Sequence, residues 1–225
     1  MKSRSTEKEL LDDLEIRPED ILASLNFMTQ VNCLFGGVQA ILDYLESCQT
    51  PEKFSVLDIG CGAGDIPHEI VAWAKKKGKK VSITAIDLNP LCVTYAERHY
   101  PDPEISFLRH SAFEIESLGT FDFITSSMFF HHLSDEEIVK LLKLMKQQSR
   151  YGFIVNDLYR NAWNYLGAYI LGVFSFRAIV FNDAKLSVKR AFREVDFFRY
   201  REQSGISDLK IERKPVFRIT LSHYV

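Results

Sequence analysis

The chain has 225 residues, 46% hydrophobic and 26% charged, with a formal net charge of -2. This composition suits a globular protein with one sizeable core and excludes a disordered or fibrous chain. With 28 basic against 30 acidic side chains, nothing attracts it globally to nucleic acid, and a small or neutral partner is expected.

The four cysteines, Cys33, Cys48, Cys61 and Cys92, form no CxxC or Cys/His metal spacing. Free thiols in a reducing, cytoplasmic compartment are expected. The opening MKSRSTEKELLDDLEI is charged and has no apolar h-region, so no signal peptide is indicated. Residues 162–180 are apolar and aromatic, but Asn164 and Arg177 interrupt them. A spanning helix wants about 20 mostly apolar residues, so a buried or lid helix is expected there, not a transmembrane segment.

In chain order, Leu10, Leu11 and Leu14 recur at helical spacing, as do Ile21, Leu22 and Leu25. Pro18 suits the first turn of the second helix, with Glu19 and Asp20 near its positive end. Gly36 and Gly37 interrupt the pattern before 38–45 resumes it. The period then changes. Residues 54–59 read as a buried strand ending at Gly60, 66–77 as a helix ending at Gly78, and 81–86 as a strand stopped by Asp87. Asn89-Pro90 opens a helix to about Arg98. Strands follow at 105–108 and 121–125. Ser134 then caps a helix in the capping-box manner, with Ile138, Leu141, Leu142 and Met145 on its apolar face. A fifth strand covers 151–156. Helices fill 161–204 as far as Gly205, and two runs, 208–214 and 216–223, flank Pro215 as a terminal hairpin.

Strands alternating with helices predict an α/β fold with a parallel sheet covered on both faces. The expected architecture is a Rossmann-like, seven-stranded, mostly parallel sheet with a C-terminal antiparallel hairpin. One domain spans 1–225. A helical N-terminal cap occupies 1–50, a core 54–225, and substrate-side helices 158–204.

The informative stretch is VLDIGCGAGD at 56–65. A buried strand runs into Gly60, Gly62 and Gly64, with a helix just beyond whose free N–H groups point into the same space. Ligands of open α/β sheets sit at the carboxyl ends of strands, so this turn belongs to a nucleoside-like ligand. The dinucleotide pattern GxGxxG fails, because its third glycine would fall on Asp65. Asp65 is a poor neighbour for pyrophosphate, whereas Asp58 and Asp65 suit a cationic sulfonium carrying an amino-acid group. Asp87 ends the next strand at the same sheet edge, where a carboxylate can accept ribose hydroxyls.

VLDIGCGAGD followed by AIDLNP resembles motifs I and II of the class I S-adenosylmethionine (SAM)-dependent methyltransferases. FDFITSSMFFHHLSDEE and the terminal hairpin are similar to the same family, over about residues 54–225. The resemblance implies that Asp58, Gly60, Cys61 and Gly62 hold the methionine moiety, and Asp87 with Leu88 the ribose side. Ser111 stands where the family often has an acidic residue for the adenine amine, which leaves adenine to the Ala112 backbone and to Phe113. The stretch from Asn26 to Gly37, and Asp183 to Phe192, are similar to small-molecule methyltransferases associated with polyketide pathways. The first implies a helix closing over the cofactor, the second a substrate-side segment.

Methyl transfer needs an aligned acceptor, exclusion of water and sometimes a base. His131 and His132 follow the fourth strand at the same edge and are candidate bases. Asp157 follows the fifth, as a base, a substrate-orienting group or a cap for the next helix. Ser126 to Phe130 lacks the N/D-P-P-Y/F sequence of enzymes that methylate nucleobases or glutamine. Trp163, Tyr165, Tyr169, Phe174 and Phe176 are expected to form an aromatic substrate wall or ordinary core. Lys185, Lys189, Arg190, Arg193, Arg199 and Arg201 are expected to meet an anionic group or form a solvated face. The lysines of 75–80 read as a solvated helix end. No metal spacing appears.

The expected function is SAM-dependent methylation of a small aromatic or lipid-like molecule, by O-methylation of a phenolic or polyketide-like hydroxyl. N- or carboxyl-methylation, a non-catalytic SAM-binding partner protein and a nucleotide-dependent oxidoreductase stand as alternatives.

Overall fold

Seven strands share one sheet in the computed structural model, which describes residues 3–12 and 17–224. Five of them, β1 (Lys53–Ile59), β2 (Lys80–Asp87), β3 (Ile105–Arg109), β4 (Phe121–Ser127) and β5 (Ser149–Leu158), run parallel. The last two, β6 (Lys210–Lys214) and β7 (Arg218–Tyr224), complete the order β3-β2-β1-β4-β5-β7-β6. β7 lies antiparallel between β5 and β6, as the terminal hairpin requires.

The hairpin's second strand begins later than the apolar run 216–223 implies. Val216 and Phe217 sit at φ 57° and 60°, in the left-handed region, and form the turn themselves. Such backbone is unusual for a β-branched or bulky residue. Apolar character there serves a cavity wall, not a strand.

Eight helices are described: α1 (Pro18–Leu34), α2 (Gly37–Ser47), α3 (Asp65–Lys76), α4 (Pro90–His99), α5 (Asp135–Gln148), α6 (Ala162–Phe174), α7 (Ala178–Arg190) and α8 (Glu194–Ser204). Their starts follow the local chemistry. Pro18 opens α1, Asn89 accepts the Leu91 N–H at the head of α4, and Ser134 with Glu137 completes the capping box of α5. Leu10 and Leu11 lie in a short 3₁₀ turn, while Leu14 lies outside the described residues.

The strand period of two divides the core into two layers. Leu57 and Ile59 of β1, Ile124 of β4, and Phe153 and Val155 of β5 pack on Ile138, Leu141, Leu142 and Met145 of α5 and on Phe197 and Tyr200 of α8. Phe54, Val56, Phe123 and Ile154 face the other way, against Ile41 and Leu45 of α2 and Ile70 and Ala74 of α3. The central strands are thus covered on both faces, which is why they read as continuous apolar runs.

No single helix among the described residues is long and apolar enough to cross a membrane. At the far end of α3, Lys75 pairs with Asp102 and Lys77 with Glu46, in keeping with a solvated helix end.

Candidate functional site

The parallel strands bring their carboxyl ends to one edge, and a cleft opens there. Gly60, Gly62, Asp87, Leu88, Ser111, Ala112 and Phe113 line it, with Phe129 and His132 on the β4 side and Met28 of α1 above. Residues spread over 54 positions of sequence thus share one wall because β1, β2 and β3 are neighbours in the sheet.

The glycine turn is tied to the strand beside it. The N–H groups of Gly60 and Cys61 both donate to the Ile86 carbonyl, at 2.9 and 3.0 Å. The Gly62 N–H donates to Asp87 Oδ2 at 3.0 Å, and the Asn89 N–H to Asp87 Oδ1 at 2.9 Å. A carboxylate has about four lone-pair sites, so both oxygens keep capacity for further donors. Gly60 has φ +71°, and a Cβ there would lie 2.6 Å from Cγ of Phe129. Gly62 has φ +51°, and its added Cβ would meet Met28 Cε at 3.3 Å, so α1 closes directly over the turn. A narrow bend with a carboxylate at its floor and an apolar flank at Ala112 and Phe113 fits a nucleoside.

Asp58 and Cys61 are buried behind this lining. Asp58 Oδ1 accepts a hydrogen bond from Thr125 Oγ1 at 2.7 Å. Burial pushes the Asp58 carboxyl up to about 7; the Thr125 hydroxyl opposes this, and the nearby Asp65 and Asp87 add to it. Asp65 is also pushed up by burial, and its Oδ2 accepts from Asn32 Nδ2 of α1 at 3.0 Å. Ser111 Oγ accepts the Phe113 N–H at 3.2 Å, shaping the turn after β3.

A second, apolar cavity adjoins the first. It occupies about 930 Å³ including its mouth, and its walls come from α1 (Phe27, Val31), α6 (Gly167, Ala168), α7 (Val180, Val188) and the β6–β7 turn (Val216, Phe217). Met28, Met128 and His132 line both spaces, so His132 stands at their junction. Met128 takes φ +57°, a conformation that its backbone N–H secures by donating to Asn156 O at 2.9 Å.

The two histidines differ. His131 is 1% exposed. Its Nδ1 lies 2.8 Å from Asp157 Oδ1, its backbone N–H donates to Asp157 Oδ2 at 3.1 Å, and its Nε2 lies 3.6 Å from Glu9 Oε1. Asp157 is fully buried inside β5, where it holds His131 in place, and it does not cap the next helix. Asn161 does the capping, accepting the Asn164 N–H at 2.8 Å. Burial raises the Asp157 carboxyl, but the adjacent His131 and the surrounding N–H donors outweigh it and leave it below its ordinary value. His132 is only half-buried, its ring centroid 4.2 Å from that of His131. Arg190 fixes this turn, donating through Nε to His131 O at 2.9 Å and through Nη2 to His132 O at 2.7 Å.

The expected aromatic substrate wall is not the cavity wall. Trp163, Tyr165, Tyr169, Phe174 and Phe176 are all absent from its lining. Helix α6 turns Asn164, Gly167, Ala168 and Leu171 toward the cavity, while Trp163, Tyr169 and Phe174 are exposed. The basic residues are otherwise engaged. Arg190 clamps the histidine turn, Arg193 donates to Arg160 O, Arg199 pairs with Asp135, and Lys185, Lys189 and Arg201 lie over the rings of Phe181, Tyr165 and Phe198.

Glu9 and Met128 are site residues that sequence spacing did not suggest; Met28 falls in the helix expected to close over the cofactor, and Arg190 meets backbone carbonyls instead of the anionic group expected for it. Glu9, His131 and His132 place one ligand-type atom each within 4.8 Å of one another, a cluster split across 122 positions and so without a metal-like spacing in the sequence. Only the two adjacent histidines carried any local signal.

Residues 56–152 match a family model described as a methyltransferase domain. The matched stretch runs from β1 into β5, the part of the sheet that carries the glycine turn and Asp87. A search of the curated proteins gives no match. Among solved structures, the domain is similar to magnesium protoporphyrin IX methyltransferase from Synechocystis PCC 6803 with bound SAH, at 16% identity over 83% of this chain and 80% of that one, TM-score 0.57. A SAM-dependent methyltransferase from Aquifex aeolicus shares 19% identity over 92% and 98% of the two chains, TM-score 0.60. PigF with SAH shares 14% identity over 98% of this chain and 63% of its own length, TM-score 0.67. At such identities the likeness of these structures is one of fold.

Proposed function

We propose that the protein methylates a hydroxyl group, phenolic or polyketide-like, on a small apolar acceptor, with His132 as the general base. One observation carries this reading: His132 lines both the nucleoside-shaped cleft and the apolar cavity. When bound, SAM supplies an electrophilic methyl group.

The chain's own residues do the rest. Asp87, with Leu88 beside it, takes the ribose hydroxyls. Asp58, Gly60, Cys61 and Gly62 form the methionine end, Asp58 and Cys61 from behind the lining. Ser111, Ala112 and Phe113 flank the adenine. The apolar cavity binds the acceptor and excludes water, and the hydroxyl reaches the junction beside His132. His132 takes up the hydroxyl proton. Asp157 and His131 act as positioning residues, holding the turn that presents His132, while the Arg190 clamp fixes its backbone. The inner surface of Val180, Val188, Ala168 and Phe27 offers dispersion contacts and few polar partners, which suits an aromatic or lipid-like molecule.

The test is His132→Ala. Loss of a general base lowers kcat by about 10²–10⁴. The acidic limb of the pH–rate profile disappears with it, while SAH affinity by calorimetry stays within about twofold, since uniform binding is untouched. An unaltered rate and pH profile would remove His132 from the mechanism.

A further inference from the structure

The methyl-transfer reading makes no use of the outer face of α6. Trp163, Leu166, Tyr169, Ile170, Val173 and Phe174 are all exposed, Trp163 by 73% and Phe174 by 69%. At about 100° per residue they cover an arc of roughly 140°, unbroken by a polar side chain. The helix AWNYLGAYILGVF contains no charged residue. Phe176, 87% exposed at φ +52°, extends the surface past the helix end. Isolated surface apolar residues need no explanation, but a contiguous patch of this kind marks an interaction site.

Two further observations point to what covers it. The first is charge. Arg177 is exposed next to Phe176, and Lys185 and Lys189 follow on α7, with Nζ atoms 3.6 and 5.8 Å from the Phe181 and Tyr165 ring centroids. A cationic margin beside an aromatic face is complementary to anionic headgroups over acyl chains, in a chain whose net charge is -2. The second is continuity. Leu171 of α6, with Val216 and Phe217 of the hairpin turn, is both exposed and part of the cavity lining, so the outer face runs into the cavity mouth.

We propose that the α6 face lies on an anionic bilayer surface, from which a lipophilic acceptor enters the cavity between α6 and the β6–β7 turn. The 13 residues of α6 are too few to span a bilayer, so the helix lies in the interface plane. Leu166, Ile170 and Val173, at the centre of the arc, sit deepest, with Trp163, Tyr169 and Phe174 at its margins. The proposal rests on the reading that the apolar cavity takes the acceptor.

Sedimentation of the full chain with vesicles tests it, using phosphatidylglycerol–phosphatidylcholine mixtures and phosphatidylcholine alone. Wild type is expected to pellet with the anionic vesicles. A Trp163→Ser/Phe174→Ser/Phe176→Ser variant loses at least about tenfold in partitioning, and Arg177→Ala about fivefold on anionic vesicles only. The three apolar side chains are exposed, so the variant keeps its melting temperature. Should it fail to fold, a Trp73→Phe protein reports through Trp163 alone: a blue shift and quenching by brominated lipid support the proposal, and an unchanged spectrum overturns it. Wild type remaining in solution, or a folded triple variant binding equally well, also overturns it. So does a vesicle-indifferent dimer that the triple variant dissociates, which would assign the face to a second copy. SAH calorimetry on the same samples separates the two readings. SAH binding without vesicle binding defeats only the bilayer proposal, and vesicle binding without SAH binding defeats only the cofactor site.

Discussion

Asp58→Asn should make the cofactor-free protein more stable at neutral pH, an unusual outcome for a motif residue. The carboxyl is fully enclosed, and burial raises its pKa from 3.8 to about 7. That gap is worth on the order of 4 kcal/mol at about 1.4 kcal/mol per unit. The sign follows from proton counting. Between the two values the folded chain holds a proton that the unfolded chain has lost, so the stability contributed by the neutral acid is fully present below 3.8 and drains away as pH rises through about 7. An asparagine does not ionise, and its amide oxygen still accepts from Thr125 Oγ1. Urea unfolding of wild type and Asp58→Asn from pH 4.5 to 8 therefore shows curves that diverge as pH rises, with the variant ahead by up to a few kcal/mol at the alkaline end. A cationic ligand held near Asp58 reverses this preference. SAM binding to wild type below pH 7 then releases up to one proton, which calorimetry in buffers of different ionisation enthalpy reads directly. Parallel stability curves, or equal proton release by the variant, would refute the reasoning.

Gly60→Ala places a methyl group 2.6 Å from Cγ of Phe129 on a backbone at φ +71°. Overpacking and left-handed strain together cost about 2–5 kcal/mol, read as a lowered urea midpoint. Ala168→Phe fills the apolar cavity from α6 and is expected to raise acceptor KM at least about tenfold while leaving SAH affinity unchanged, since Ala168 lines only that cavity.

The sheet was readable because buried parallel strands give short apolar runs closed by glycine or aspartate, as at Gly60 and Asp87. The caps at Asn89 and Ser134 were readable because each is a local contact. The cleft at the sheet edge was readable for the same reason, since its floor consists of strand ends whose order the α/β alternation dictates. Three features were not. The aromatic residues of α6 gave no sign of which way they point, because a helix apolar almost all round can bury either face. The roles of His131 and His132 separated only when Asp157, 26 residues on, came to lie under His131. Glu9 reaches the site across more than a hundred residues, a contact set by packing between the N-terminal segment and α7.

A nucleoside cleft with Asp87 on its floor underlies the proposed chemistry, and SAH calorimetry on wild type and Asp87→Ala tests it most directly. Wild type is predicted to bind one SAH, and the variant, shown to be folded by its melting temperature, to bind at least about a hundredfold more weakly, the loss expected for hydrogen bonds to a charged acceptor. Equal affinity in a folded Asp87→Ala protein, or wild type preferring NAD to SAH, would contradict it.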